Sequence, residues 1–299
     1  MREDHGASEP AGPDDGIESG SGYRDRVGGD ADALRAVAQR EFDTLVRTRA
    51  YAALAVAYGL VVVALSLAGD VGGYVPLVLD LATPVEVLVP LLAFGFGTWS
   101  VLADAHSGEL EVIRTYPVSR WTYVLGTFLG RAVGLLVAVL SPLVLVGLAV
   151  PLVREPATSV FVSHATVDSP TYFARFVGLT GAYALVTLAL AMAVSSLSRS
   201  RRIGVAAAAL VALVVIVGLD ALVLLGVARG LVGGETLSIV LAASPPGAFR
   251  GLVLATATGG LLSTGPPAAN AVASVVGVVG WLVVGLTAAA LGAWSPGGR

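Results

Sequence analysis

Asp220 is the residue of this chain whose position most needs a chemical explanation, because it is the only acid that we place well inside a long apolar stretch, here residues 203–228. An acid at the centre of a membrane helix costs about 2.5–3.5 kcal/mol on insertion scales, so it is expected to face a polar cavity or to be paired. Arg229 lies nine residues further on, beyond the i+4 reach of a helix, and Arg250 is the better candidate partner. Three interpretations stay open: a residue of a substrate path, a structural ion pair, or an acid nearer the end of its stretch.

A second group of reactive side chains lies in residues 104–121, between two apolar stretches. Glu109 and Glu111 are two of its acids. Pro117 would end a helix, because proline has no backbone N–H to donate, and Arg120 would anchor the next stretch at the membrane surface. The segment is long enough for a short helix; the alternative is a solvated loop with ordinary charges.

Several kinds of site are excluded by residues that the chain lacks. It contains no cysteine and no lysine, so all 18 of its basic residues are arginines. The phosphate-binding loop of nucleotide hydrolases needs a lysine to reach the β- and γ-phosphates, and any ATP must therefore be hydrolysed on another polypeptide. His164 is the only histidine that we expect on the outer side. One histidine without any cysteine makes a poor pathway for soft metal ions. We predict no catalytic residue, no metal site and no cofactor bound by this chain.

The composition places most of the chain in a lipid bilayer. Apolar residues make up 56% of it and charged residues 13%, against about 45–50% and 25% in soluble proteins. Residues 1–50 hold 18 of the 39 charged side chains, and the remainder is too poor in charge to face water. A soluble enzyme and a nucleic-acid binder are thereby excluded, and the net charge of −3 indicates no polyanionic partner.

The apolar stretches predict an all-α integral membrane protein. Six of them have the length of about 20 residues that a membrane-spanning helix needs, and we number them as spans one to six. Their predicted bounds are 50–69, 85–103, 123–150, 173–197, 203–228 and 271–294.

The segments outside the spans have their own patterns. Residues 1–30 are rich in Gly, Ser, Pro and acids and predict a disordered acidic tail. Residues 31–49 have apolar side chains at helical spacing and several arginines, which predicts an amphipathic elbow helix along the membrane face. Residues 31–294 then form one transmembrane permease domain, and 295–299 a short end. Between spans five and six, Glu235–Ala243 and Gly247–Thr256 are too short to span and predict a re-entrant or interfacial helix pair.

Arginine placement predicts the orientation. Ten arginines near span ends fall on the side of the N-terminus and four on the other. Because basic residues stay in the cytoplasm, we expect a multi-pass cell-membrane protein with both termini cytoplasmic. Arg131 is expected to extend back to the cytoplasmic interface, and Glu86, beside Pro84, to lie at the outer interface. Gly126, Gly130 and Gly134 form a small-residue stripe that serves either packing within the chain or a subunit interface.

Within the first inner loop the chain resembles the ABC transporter type-2 export permease family. Members carry a Gly-Thr-Leu-Glu segment, then Pro-Val-Ser-Arg, then Gly-Lys at the head of span three. The matching residues are Gly108, Leu110, Glu111, Pro117, Val118, Ser119, Arg120 and Gly126. The segment Ser244–Arg250 is similar to the Asn-Pro-x-Asp-x-Phe-Arg of the NosY-like branch, which serves nitrous-oxide-reductase maturation. Thr127 stands where lysine is expected, and Gly247 where aspartate is expected.

The resemblance implies a permease subunit that forms a homodimer, or a pseudo-dimer with a related permease, and docks a cytosolic ABC ATPase that binds ATP and Mg²⁺. It implies an exporter in the lipid bilayer with no nucleic-acid partner. It also implies that residues 104–121 are a short rigid lever, with Glu109 and Glu111 paired to the ATPase surface. This ATPase-coupling loop would contain Asp104, Gly108, Glu109, Leu110, Glu111, Pro117 and Arg120. A substrate path or outer gate would contain Asp220, Pro245, Phe249 and Arg250. The alternative function is an ion- or proton-coupled carrier that uses Asp220.

Overall fold

The computed structural model describes residues 30–69, 73–98, 100–101, 103, 119–153, 168–198, 200–257 and 269–293. Regular structure in these ranges is helical, with no strand. A π-helical turn at Val214–Gly218 joins the helices Arg201–Leu213 and Leu219–Ala228. The helices are α1 Asp30–Arg47, α2 Arg49–Ala68, α3 Tyr74–Gly97, α4 Arg120–Val153, α5 Pro170–Leu197, α6 Arg201–Leu213, α7 Leu219–Ala228, α8 Gly234–Ala242, α9 Pro245–Thr256 and α10 Ala271–Ala293.

Six helical segments in the described ranges are long and apolar enough to cross a membrane: α2, α3, α4, α5, the continuous segment Arg201–Ala228, and α10. The predicted fold class, a six-span all-α membrane protein, is therefore confirmed. Five of the segments begin and end within three residues of the predicted spans.

The second span is the exception, because α3 begins at Tyr74, eleven residues before the predicted start at 85. Pro84 and Pro90 both lie inside this helix. Proline is tolerated within membrane helices, since neighbouring groups can satisfy the backbone carbonyl that it leaves free. The proline was therefore a misleading boundary signal, and residues beyond it lie deeper in the helix than the sequence predicted.

The start of α3 is fixed by a side chain from a distant part of the chain. Asp168, just before α5, accepts hydrogen bonds from the backbone N–H groups of Tyr74 at 3.1 Å and Val75 at 2.9 Å. These are two of the N–H groups that a helix start leaves unpaired. A Cβ on Gly73 would collide with the Asp168 carboxylate, so glycine is needed for this close approach.

The amphipathic helix α1 packs lengthwise on the glycine stripe of α4. A Cβ on Gly126 would meet Val37, one on Gly130 would meet the Ala38 carbonyl oxygen, and one on Gly134 would meet Leu45. The residue numbers of the contacting positions increase in the same direction along both helices, so α1 and α4 run parallel here. The stripe therefore serves packing within the chain, one of the two alternatives left by the sequence. The position of α1 relative to a membrane stays a prediction.

Helix α5 is the centre of the bundle, and the fifth and sixth spans lie at its periphery. In an apolar stretch of 18 residues within α5, 67% of the residues are buried. The corresponding share is 11% in Arg201–Ala228 and 11% in α10. In the core, side chains of three helices pack together, among them Leu81 of α3, Leu135 of α4 and Tyr183 of α5. The exposed apolar faces of the peripheral spans suit contact with lipid or with another membrane protein.

The two short helices predicted between spans five and six are present as α8 and α9, bent by 113° relative to each other. The Ser244 hydroxyl accepts a hydrogen bond from Gly247 N–H at 3.0 Å and so caps α9. Pro245 and Pro246 occupy the first turn of α9, where a missing N–H is harmless. Gly247 lies so close to the Leu241 carbonyl that a Cβ would not fit. The Ser-Pro-Pro-Gly sequence thus produces the bend.

Candidate functional site

Arg250 joins three helices at one point. From α9, its Nε donates to Oε2 of Glu86 on α3 at 3.1 Å, and its Nη2 donates to Oε1 of the same carboxylate. Nη2 also donates to Oδ2 of Asp220 on α7 at 2.6 Å. The two parallel bonds to Glu86 match the planar guanidinium to the planar carboxylate. Arg250 is therefore held mainly by Glu86 and shared with Asp220.

Ser244 extends this group to the bend between α8 and α9. Its hydroxyl donates to Oδ1 of Asp220 at 3.1 Å while accepting from Gly247 N–H. We call Glu86, Asp220, Ser244 and Arg250 the Arg250 cluster. Because its members lie on α3, on α7, at the bend and on α9, it ties the short helix pair to two spans.

The structure pairs Asp220 with Arg250, as the sequence analysis expected, and corrects two related expectations. Glu86 is not interfacial: it lies twelve residues inside α3 and its side chain is only 11% exposed. Asp220 is not the only acid within a span, because Asp80 and Glu86 are both in α3. Both errors come from placing the start of the second span at Pro84.

Phe249 is a packing anchor of α9 and is 2% exposed. Its ring stacks on Tyr183 of α5, with centroids 4.8 Å apart and planes at 16°. The Tyr183 hydroxyl donates to the Glu86 backbone carbonyl at 3.1 Å. Pro245, the fourth predicted residue of the path or gate, is buried at the start of α9. These four residues therefore lie in one region, with Phe249 and Pro245 in the packed part of it.

Two further hydrogen bonds hold the short helix pair. Trp281 of α10 donates from its indole Nε1 to the Ala243 carbonyl, at the bend, at 2.8 Å. Arg175 of α5 donates to the Thr256 carbonyl, in the last turn of α9, at 3.0 Å. A cation at the C-terminal end of a helix also favours the helix dipole. The pair is therefore attached to α3, α5, α7 and α10. No pattern in the sequence indicated these two bonds.

A cavity of about 340 Å³ lies between α7 and the short helix pair. Asp220 and Arg250 form its polar part, and apolar side chains form most of the rest. The apolar side chains that line it are Val223, Leu224, Val227, Leu237, Leu241, Leu254 and Ala269. Such a space can hold an apolar group beside one charged or hydrogen-bonding group.

A second polar group lies at the cytoplasmic end predicted for the bundle, where α1 meets α4. Arg131 of α4 donates from Nε to Oε2 of Glu41 at 2.8 Å, and from Nη1 to the Tyr51 hydroxyl at 3.3 Å and to the Phe96 carbonyl. Arg40 also pairs with Glu41, at 2.7 Å. The position of Arg131 relative to the membrane interface stays a prediction, and the structure adds that protein encloses its side chain. Its side chain is 4% exposed, because α1 covers it and supplies the opposite charge.

Most of the predicted coupling loop falls outside the described residues, namely Asp104, Gly108, Glu109, Leu110, Glu111 and Pro117. Arg120 is described: it is the first residue of α4 and exposed. Ser119 accepts a hydrogen bond from Thr122 N–H at 3.0 Å, which caps α4. On the other side of the loop, Val101 N–H donates to the Ser195 hydroxyl near the end of α5, at 3.2 Å. Both ends of the loop are thus attached to spans.

The described residues contain no group of three or more His, Cys, Asp or Glu side chains that could hold a metal ion.

Comparison with protein families identifies the chain. The family model for the ABC-2 family transporter protein matches residues 35–292, from the first turns of α1 to the end of α10. No curated protein matches the chain. Because the match covers nearly all of the sequence, the chain belongs to the ABC-2 transporter family.

Proposed function

We propose that this chain is the membrane-spanning permease subunit of an ATP-driven exporter. A separate cytosolic ABC ATPase would bind ATP and Mg²⁺, and two permease copies, identical or related, would enclose the path. Both termini and the loop 104–119 would face the cytoplasm. The family match over residues 35–292 and the six apolar helices support a transport subunit, and the absence of lysine supports hydrolysis on another polypeptide.

One observation carries the proposed mechanism: α3 contacts both polar groups. The Phe96 carbonyl in its last turn accepts from Arg131, and Glu86 accepts from Arg250. These positions are ten residues apart in one helix, or about 15 Å at 1.5 Å per residue. A movement that the ATPase imparts to the ends of α3 and α4 would therefore reach α9 through a continuous helix and a bidentate ion pair.

The coupling experiment uses the permease co-expressed with an ABC ATPase from the same genome and reconstituted in vesicles. We expect the permease to stimulate ATP hydrolysis, and the double substitution Glu109→Ala/Glu111→Ala to reduce that stimulation. Asp43→Ala is the matched control, since Asp43 is an exposed acid on α1. A permease that purifies in a stable complex without any ATPase would contradict the proposal.

The alternative function, an ion- or proton-coupled carrier, is favoured by one observation, namely that Asp220 lines the cavity. A carrier would need no nucleotide, and its transport would stop when the ion gradient is dissipated or when Asp220→Asn is introduced. The exporter requires ATP and continues without the gradient. Transport measured in vesicles with each energy source withheld separates the two.

The finer assignment to the NosY-like branch rests on Ser244–Arg250 alone and stays a proposal. Genes for nitrous-oxide-reductase maturation beside this one would support it.

A further inference from the structure

We propose that the cavity beside the Arg250 cluster binds an amphiphilic cation, a molecule with a positively charged head and an apolar body. The head would contact Asp220, and the body would lie against the leucine and valine side chains of α7, α8 and α9. This inference deepens the proposed function by naming the substrate class of the permease.

The charge of the cluster is the first reason. Glu86 and Asp220 are two carboxylates, and Arg250 is the one guanidinium bonded to them among the residues that the structure describes. The fork of two bonds joins Arg250 to Glu86, whose side chain is only 11% exposed and does not line the cavity. The positive charge of Arg250 therefore neutralises Asp220 only in part. A carboxylate without a full counter-charge is unfavourable in free energy inside a membrane span. A second cation on the cavity side would compensate it.

The hydrogen bonds of Asp220 point to the same conclusion. An ionised carboxylate has about four lone-pair positions. In the described structure, Asp220 accepts from Ser244 at Oδ1 and from Arg250 at Oδ2. Capacity remains on a side chain that is 23% exposed and lines the cavity. An ammonium or a comparable cation can therefore be accommodated without breaking either existing bond.

The cluster disfavours an anion in the same place. An anion bound to Arg250 would lie near two carboxylates that already hold the guanidinium, and like charges at such distances repel strongly in a medium of low dielectric constant. The apolar walls in turn disfavour a small hydrated ion, which would lose its water shell against leucine and valine. A cation that carries its own apolar surface satisfies both conditions.

The test uses two probes of the same shape and opposite charge, the tetraphenylphosphonium cation and the tetraphenylborate anion. Radiolabelled probe binds to the purified full-length permease in detergent micelles, and excess unlabelled probe defines the saturable fraction. We expect saturable binding of tetraphenylphosphonium and none of tetraphenylborate. Equal or stronger saturable binding of tetraphenylborate, or no saturable binding of tetraphenylphosphonium, would overturn the proposal.

Variants locate the site. Asp220→Asn should weaken tetraphenylphosphonium binding by about tenfold or more, which is about 1.4 kcal/mol. Asp80→Asn is the matched control, because Asp80 is also an acid within a span but is exposed on α3, away from the cavity lining. This variant should bind tetraphenylphosphonium with unchanged affinity. Leu241→Trp fills the cavity without changing charge and should also reduce binding. The melting temperature of each variant shows that it is folded, and Leu241→Trp decides the matter if Asp220→Asn does not fold.

The result is separable from the proposed function, because the binding assay contains neither ATPase nor nucleotide. If tetraphenylphosphonium binds but no ATPase associates with the permease, the exporter proposal fails and the site stands. If ATP hydrolysis is stimulated but Asp220→Asn and Leu241→Trp both leave binding unchanged, the site fails and the exporter proposal stands.

Discussion

Glu41 of α1 and Arg131 of α4 form a buried ion pair, with Oε2 and Nε 2.8 Å apart and both side chains 4% exposed. Arg131 also donates to the Tyr51 hydroxyl of α2 and to the Phe96 carbonyl of α3. One side chain within α4 therefore joins the amphipathic helix α1, the first turn of α2 and the last turn of α3. The proposed coupling loop lies between α3 and α4, so a movement of the loop would act on two helices that Arg131 connects.

Removing one member of this pair should be strongly destabilising. Glu41→Gln leaves the Arg131 charge buried without its counter-charge, and breaking a buried pair in this way costs about 3–5 kcal/mol. The double substitution Glu41→Leu/Arg131→Met removes both charges and should be less destabilising than Glu41→Gln. The free energy of unfolding in mixed micelles measures both. Arg35→Gln, at an exposed position of α1, is the control, and a double variant less stable than Glu41→Gln would contradict the argument.

The glycine stripe gives a prediction about packing. Gly130→Ala would place a Cβ against the Ala38 carbonyl and the Glu41 side chain, and we expect a loss of about 1–3 kcal/mol from overpacking. Gly178→Ala on α5 meets no atom within 4 Å, so it should be neutral or stabilising by up to about 1 kcal/mol. Hydrogen exchange should become faster in α1 only in the first variant. Unchanged exchange of α1 in Gly130→Ala would show that α1 does not pack on the stripe.

The two carboxylates of the Arg250 cluster should differ in how strongly they are coupled to Arg250. Glu86 accepts two bonds and is 11% exposed, whereas Asp220 accepts one and is 23% exposed. Double-mutant cycles with Glu86→Gln, Asp220→Asn and Arg250→Gln isolate each pair. We expect the coupling energy with Glu86 to exceed that with Asp220 by about 1 kcal/mol. Arg229→Gln, at an exposed arginine just after α7, serves as the uncoupled control, and equal couplings would refute the bidentate assignment.

We expect the main effect of Phe249 to be on the stability of the protein, through packing. Phe249→Ala removes the ring that stacks on Tyr183 and should destabilise the protein by about 3–5 kcal/mol. Phe249→Leu keeps most of the apolar volume and should lose less. Leu222→Ala, on the exposed face of α7 at 63% exposure, is the control, because lipid or detergent replaces the lost contact. Phe249→Ala and Leu222→Ala with equal unfolding free energies would contradict a packing role.

The sequence predicted what depends on local pattern. Long apolar runs identified six spans, and the Ser-Pro-Pro-Gly segment identified the bend between α8 and α9. What it did not predict depends on partners far along the chain. Glu86 and Arg131 looked interfacial because each lies near an apparent span end. Their burial is decided by Arg250 and Glu41, which lie 164 and 90 residues away.

The candidate site followed the same division. Asp220 was noticeable because an acid in an apolar stretch is visible in the sequence, and Arg250 was a better candidate partner for it than Arg229. Glu86 was missed as their third member, because Pro84 imitates a helix start. The glycine stripe was visible as a pattern, but nothing in the spacing indicated that α1 would cover it. The predicted coupling loop, apart from Arg120, lies outside the described residues and stays a prediction.

Asp168 shows how such a distant partner can be tested. Its carboxylate accepts from the N–H groups of Tyr74 and Val75, so Asp168→Ala should cost about 0.5–2 kcal/mol as the loss of a helix cap. Asp168→Asn retains one acceptor oxygen but not the negative charge that favours a helix start, and its loss should be intermediate. Hydrogen exchange at Tyr74 and Val75 provides the local readout, and Asp80→Asn, at an exposed acid further along α3, provides the control. If these two amides exchange as slowly in Asp168→Ala as in the unchanged protein, the start of α3 is determined by its own sequence and the argument fails.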